Sequence, residues 1–261
     1  ETRTAERTGE RVDTWTPPQG LPDVYIAMGQ TAENVAQSKG VSRKDQDEWG
    51  VRSQNRAEAA AARGFFEREI TPYTVPNGAV VTADDGIRAG TTYENVSQLN
   101  PVFRPDGTVT AGNACPLNDG AAAVVVMSEE KASELGVTPL AKIVASGVSS
   151  LNPEVMGLGP IDAINQTLKR ANMAISDIDL VEINEAFAAQ VIPSAEETGI
   201  DHDKLNVNGG AIALGHPFGM TGARIMTTLI NGLEDADKEF GLETMCVGGG
   251  QGMAMIVQRM S

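Results

Sequence analysis

The spacing of apolar and polar positions changes character near Thr108 of this 261-residue chain. Before that point it predicts helices and loops. Residues 28–39 (MGQTAENVAQSK) read as a short helix that Gly40 stops. Ser42 followed by Asp45 has the form of a capping box, and the alanine-rich run after it favours a long helix up to Arg63, with Gly64 as its C′ residue. Asn77-Gly78 between β-branched positions predicts a short hairpin within residues 70–81, weakened by Pro76. Residues 1–22 read as polar loop, and 91–99 as a brief helical stretch.

Beyond Thr108, apolar runs alternate with helical segments. Residues 121–127 (AAAVVVM) lack polar alternation and predict a buried strand of the parallel kind. Helices are expected from Ser128 to Leu135, over 160–171 and from Thr221 to Gly232. Strands are expected over 141–148, 178–183, 242–247 and 254–258. Residues 185–197 predict a helix interrupted by Pro193, so that Asn184 joins a strand to a helix N-terminus. This alternation defines a layered α/β sheet.

Composition narrows the classes. The apolar fraction, 41%, supports a sizeable core, while only 4% is aromatic; glycine and alanine suit closely packed layers. A net charge of −15 argues against nucleic acid and anionic membrane as partners. No apolar run reaches the roughly 20 residues needed to span a bilayer, and no stretch reads as a signal peptide. Two cysteines in so long a chain fit free thiols in a reducing, cytoplasmic setting. With two cysteines and two histidines scattered, no cluster has zinc spacing, and neither a metal nor a cofactor is expected.

The candidate chemistry centres on residues 206–224, NVNGGAIALGHPFGMTGAR. Five glycines there let the backbone approach a ligand, and Pro217 pushes His216 out of the helical region. His216 is either an imidazole held on a rigid turn or an incidental member of a glycine-rich one. Asn184 is either a site amide or an ordinary N-cap. Cys246, before three glycines, is either reactive or a small buried hydrophobe. His202 sits in a polar stretch and reads as a surface residue. Residues 157–160 (GLGP) make a poor dinucleotide loop, since the third glycine is absent.

Taken together, NEAFAAQ, GGAIALGHPFGMTGAR and CVGGGQGMA, in this order and spacing, resemble the C-terminal half of a thiolase, the family that makes and cleaves 3-ketoacyl-CoA by Claisen chemistry. The resemblance covers nearly the whole chain. It implies a thiolase-like layered α/β/α core, with a complete C-terminal half, the tail of an N-terminal half and an inserted loop domain. Residues 1–110 would be the loop domain that covers the site and contacts CoA, 111–140 the tail of the N-terminal core domain, and 141–261 the C-terminal core domain.

The resemblance also implies roles. Asn184 would hold a water that forms an oxyanion hole with His216, and His216 would activate the acyl-accepting nucleophile. Cys246 would move the α-proton of acetyl-CoA, and the Gly248 N–H would complete a second oxyanion hole. Arg88 would contact the CoA nucleotide. Cys115, Met28, Met156, Ala186 and Phe187 would line the substrate tunnel. CoA is a substrate here, so no cofactor follows. Partners would be CoA thioesters and a further copy of the chain, in a homodimer or homotetramer.

Two departures qualify the match. The family's nucleophilic cysteine, in a C-x-S-G segment, is absent, and the chain starts at Glu1; the expectation is a fragment whose N-terminal segment is supplied separately. Ala27 stands where biosynthetic thiolases usually carry a histidine, which points to the degradative, fatty-acid-cycle branch. The expected activity is acyl transfer: thiolysis of 3-ketoacyl-CoA by CoA or the reverse condensation. The alternative is an inactive thiolase-like subunit that binds CoA esters or a partner. A ketoacyl synthase would pair its cysteine with two histidines, or with histidine and asparagine, and CVGGG argues against it.

Overall fold

The computed structural model describes residues 19–20 and 22–260. The polar loop expected over 1–22 therefore lies largely outside the described residues. Helix α1 spans Met28–Lys39 and ends at Gly40, whose φ of 69° is left-handed. Helix α2 spans Arg43–Ala62 behind the expected capping box: the Ser42 side chain accepts from Asp45 N, and Asp45 returns to Ser42 N. Strands β1 (Tyr73–Thr74) and β2 (Val80–Val81) form the hairpin around Asn77-Gly78. Helix α3 is one turn, Tyr93–Val96, and α4 spans Glu129–Leu135 with Ser128 as N-cap.

The C-terminal half holds β3 (Ala141–Ser150), α5 (Gly159–Ala171), β4 (Leu180–Ile183), α6 (Ala188–Thr198), α7 (Ala211–Leu214), α8 (Thr221–Asp235), β5 (Phe240–Val247) and β6 (Gln251–Arg259). The sheet order is β3-β6-β5-β4, with only β4 and β5 parallel. Side chains alternate between its faces. Val181, Ile183, Leu242, Ala254 and Ile256 point into a core with Ala163, Ile164 and Leu168 of α5 and Ala188, Val191 and Ile192 of α6. Leu180 and Val257 point the other way, against Met226, Leu229 and Leu233 of α8. The result is three layers, helix on sheet on helix. Each fully buried Ile or Leu in them contributes roughly 1.5–3 kcal/mol, which lets a four-residue strand such as β4 hold its place.

Four expectations are corrected. Residues 121–127 are neither buried nor paired in a ladder; Val125 is 84% and Val126 70% exposed. An apolar run specifies a strand only where a neighbour offers hydrogen bonds, and the backbone of 121–127 has no ladder partner among the described residues. The helix expected from residue 185 starts at Ala188, because residue Ala114 bridges Phe187 and Cys115 N donates to Ala186 O at 3.0 Å, holding that segment extended. Pro193 does not interrupt α6, which continues through it to Thr198. His202 is half-buried rather than superficial, edge-on to Trp49 with ring centroids 5.3 Å apart.

Candidate active site

The parallel pair β4–β5 ends on one side of the sheet, the place where open α/β folds gather ligand-binding groups. Asn184 leaves β4 with its N–H donated to Thr244 O at 3.0 Å, and Cys246 lies two residues further along β5. Asn184 is fully buried and is no helix cap, since α6 begins four residues later. Neither Oδ1 nor Nδ2 of its amide has a hydrogen-bond partner among the described residues. A buried amide normally has partners, so this one is free to serve a ligand or water.

Cys246 belongs to an apolar cluster with Met156 and Ala186, against which Met28, Cys115 and Phe187 pack. These come from five parts of the chain: the N-terminus of α1, the 113–115 loop, the turn before α5, the Asn184 segment and β5. Asn113 fastens the loop. Its side chain bonds Asp47 of α2 at 2.9 Å, and its carbonyl accepts from Ala188 N at 2.9 Å. Burial, reinforced by the Cys115 thiol, pushes Cys246 up to about 12, and burial pushes Cys115 up to about 11. After Cys246 the chain turns through Gly248, Gly249 and Gly250; φ of 86° and 90° at the last two allows β6 to return directly.

His216 is held differently. Its N–H donates to Asn118 Oδ1 at 3.2 Å, and its Nδ1 lies 2.6 Å from Thr221 Oγ1 in the first turn of α8. Thr221 Oγ1 spends its own proton on Pro217 O, at 3.0 Å. With that hydroxyl proton assigned to Pro217 O, the hydroxyl accepts from Nδ1–H and Nε2 is left as the proton acceptor. Burial, and secondarily Arg224, lower the imidazole pKa to about 4, so the ring is neutral at pH 7. The exposed Phe218 stands edge-on to it at 5.0 Å.

Beneath this imidazole, Arg224 on α8 faces the sheet with no hydrogen-bond partner for its three guanidinium nitrogens among the described residues. Glu182 and Glu243 stand side by side on β4 and β5, and burial raises both to about 8 despite the guanidinium. Of the remaining candidates, Arg88 has an exposed side chain, while its neighbour Ile87 packs with Ala213 and Leu214 of α7. Gly248 is exposed in the β5–β6 turn. Thr221, Asn118 and Arg224 were not singled out by sequence. Only Thr221 left a signal, a hydroxyl five residues after His216 where a helix begins.

Comparison with known proteins identifies the family. The model of "Thiolase, N-terminal domain" matches residues 3–130 and that of "Thiolase, C-terminal domain" residues 137–259. The chain belongs to the thiolase family. An acetyl-CoA acetyltransferase of Allochromatium vinosum is 46% identical over 97% of this chain and 67% of its own length; one of Cupriavidus necator is 50% identical over 92% and 63%. The chain spans 62% of a Staphylococcus epidermidis relative described as a "probable acetyl-CoA acyltransferase", 48% identical over 92% of this chain. Among solved structures, the Bacillus anthracis acetyl-CoA acetyltransferase superposes with a TM-score of 0.89, at 42% identity over 98% of this chain and 67% of that one. Human mitochondrial 3-ketoacyl-CoA thiolase in complex with CoA gives 0.86, at 40% identity over 96% and 67%. Among the described residues, no helix is long and apolar enough to cross a membrane.

Proposed function

We propose that this chain supplies the proton-handling half of an acyl-CoA acyltransferase that cleaves 3-ketoacyl-CoA with CoA. One observation carries the reading: the two groups that must move protons rest in opposite states. His216 is a neutral imidazole with a free Nε2, and Cys246 is a thiol held protonated by its apolar surroundings. That pairing suits thiolysis. His216 Nε2 takes the proton of the nucleophilic thiol, the resulting thiolate attacks the 3-keto carbon, the C2–C3 bond breaks, and its electron pair passes to the enolate of acetyl-CoA. Cys246 gives its proton to that carbon. The Cys246 thiolate takes the proton of the CoA thiol, whose sulfur attacks the acyl thioester left on the nucleophile, and the departing thiolate takes its proton back from His216 Nε2. The proton taken from CoA replaces the one Cys246 gave, so a turnover conserves protons.

The other residues take the roles that remain. The Asn184 amide and the protonated Nε2 stabilise the thioester oxygen as charge develops, and loss of one such donor typically costs about 2.7–4 kcal/mol of barrier. Gly248 N–H serves the second oxyanion. Met28, Met156, Cys115, Ala186 and Phe187 line the path of the thioester arm, and Arg88 meets the nucleotide. The CoA-bound human relative supports CoA thioesters as the substrates. Ala27 favours the degradative direction.

Neither thiol of this chain is placed as the nucleophile, because burial holds Cys115 and Cys246 protonated in one apolar cluster. The nucleophile then comes from a C-x-S-G segment outside these residues, and the exposed 121–127 run has backbone groups open to pairing with such a segment's neighbours. The test mixes the chain with an N-terminal thiolase segment in trans and follows acetyl-CoA formed from acetoacetyl-CoA and CoA. Activity is expected only in the mixture. Thiolysis by the chain alone would overturn the assignment of the nucleophile.

A further inference from the structure

The residue after Asn184 is a carboxylate with no role in the chemistry above. Glu185 is 1% exposed, yet four donors surround it. Oε1 accepts from Trp49 Nε1 at 3.0 Å and Asn206 Nδ2 at 2.9 Å. Oε2 accepts from Ser53 Oγ at 2.5 Å and Ile212 N at 3.2 Å. Two donors sit on α2 and two on the glycine-rich segment that leads to His216. Every partner can donate, and an ionised carboxylate is the side chain that accepts at both oxygens without offering a proton of its own.

The surroundings fit the same purpose. Ser53 Oγ also accepts from Gly210 N at 3.2 Å, and Asn206 also bonds Ile183 N and O, each at 2.9 Å, at the end of β4. Arg56 of α2 donates to Leu205 O at 2.6 Å, and Arg52 to Leu205 O at 3.1 Å and to His202 O. A Cβ at Gly210 would lie 2.1 Å from the Glu185 carboxyl carbon, so the segment closes on the carboxylate with no space for a side chain. Polar bonds with fixed directions, unlike apolar contacts, define where each segment sits.

We propose that Glu185 is a positioning residue: its carboxylate clamps the 206–212 segment and α2 onto the end of β4, setting Asn184 and His216 in register with each other. It touches no substrate and acts through those two side chains. The inference rests on the proposed thiolysis, and its test separates the two.

The decisive variant is Glu185→Gln, which keeps the shape but turns one acceptor into a donor facing donors. In the mixture of chain and N-terminal segment, kcat per folded site should fall about 100-fold, the scale on which a misplacement near 1 Å acts. KM for CoA should stay within about twofold. Gly210→Ala, which displaces the carboxylate without altering it, should reproduce that split. Ser53→Ala, which removes one bond only, should cost less than tenfold and serves if Glu185→Gln fails to fold. A second readout needs no activity. With only this chain carrying labelled histidine, its two imidazoles give two NMR signals, and Glu185→Gln should move that of His216. Unchanged kcat per folded site in Glu185→Gln, or in Ser53→Ala where that variant replaces it, would overturn the proposal. So would an unmoved His216 signal. An inactive wild-type mixture whose His216 signal still responds would reject thiolysis and keep the clamp.

Discussion

The two sides of the candidate site are built from opposite materials. On the Cys246 side, Met28, Met156, Ala186 and Phe187 exclude water, and the thiol is placed by packing. On the His216 side, the residue is placed by directed bonds, its backbone N–H to Asn118 and its ring to Thr221, within a segment that α2 and the Arg63 that follows it hold by Arg, Ser and Gln side chains. The same cause, burial, pushes the two groups apart, because it disfavours whichever form is charged. A buried thiol keeps its proton and a buried imidazole loses one. What separates them is therefore the chemistry of each group, and what the fold adds is placement: contacts without direction suffice for a proton donor among apolar neighbours, while a proton acceptor needs its tautomer chosen.

The largest break in this comparison is His216→Ala in the mixture with the N-terminal segment. It removes the acceptor for the nucleophile's proton and one oxyanion donor together, and general base catalysis alone is worth about 10²–10⁴-fold. Thiolysis should fall at least 1000-fold, measured as acetyl-CoA release. Turnover near that of the wild type would reject the base assignment.

Cys246→Ala should divide the reaction rather than abolish it. Acylation of the nucleophile should survive, while solvent deuterium uptake into the methyl group of acetyl-CoA stops. Continued exchange would place the acid/base elsewhere. The expected loss in thiolysis is about 100-fold, since only proton transfer is removed.

The smallest effect concerns the charge beneath His216. Glu182 and Glu243 keep their protons up to about pH 8 in the folded chain, against about 4.3 when unfolded. Between those values the folded form binds more protons, so stability falls as pH rises, by at most ~1.4 kcal/mol per pH unit for each group. Glu243→Gln should flatten that decline in urea titrations run from pH 5 to 8, and leave stability at pH 5 nearly unchanged. A slope equal to that of the wild type would mean the pair does not titrate in this window.

Local signals in the chain settled what local physics controls. Ser42 and Asp45 announced α2, Gly40 and Gly64 ended two helices at left-handed φ, and Asn77-Gly78 marked the hairpin, because caps and turns depend on residues within four positions. The three motifs likewise carried the layered fold, and with it the candidates Asn184, His216 and Cys246. Tertiary structure decided the rest. Residues 121–127 have every strand-forming property and are exposed, since a strand is a relation between segments. Asn184 was readable as a cap only until the 114–115 loop held its successors extended. Glu185, although part of NEAFAAQ, carried no signal of its own role: a carboxylate leading into apolar residues looks misplaced until donors from residues 49, 53, 206 and 212 surround it. Such partners lie more than 130 positions away on α2 and more than 20 away on the glycine-rich segment. No periodicity links them, and only the folded chain brings four donors to two oxygens.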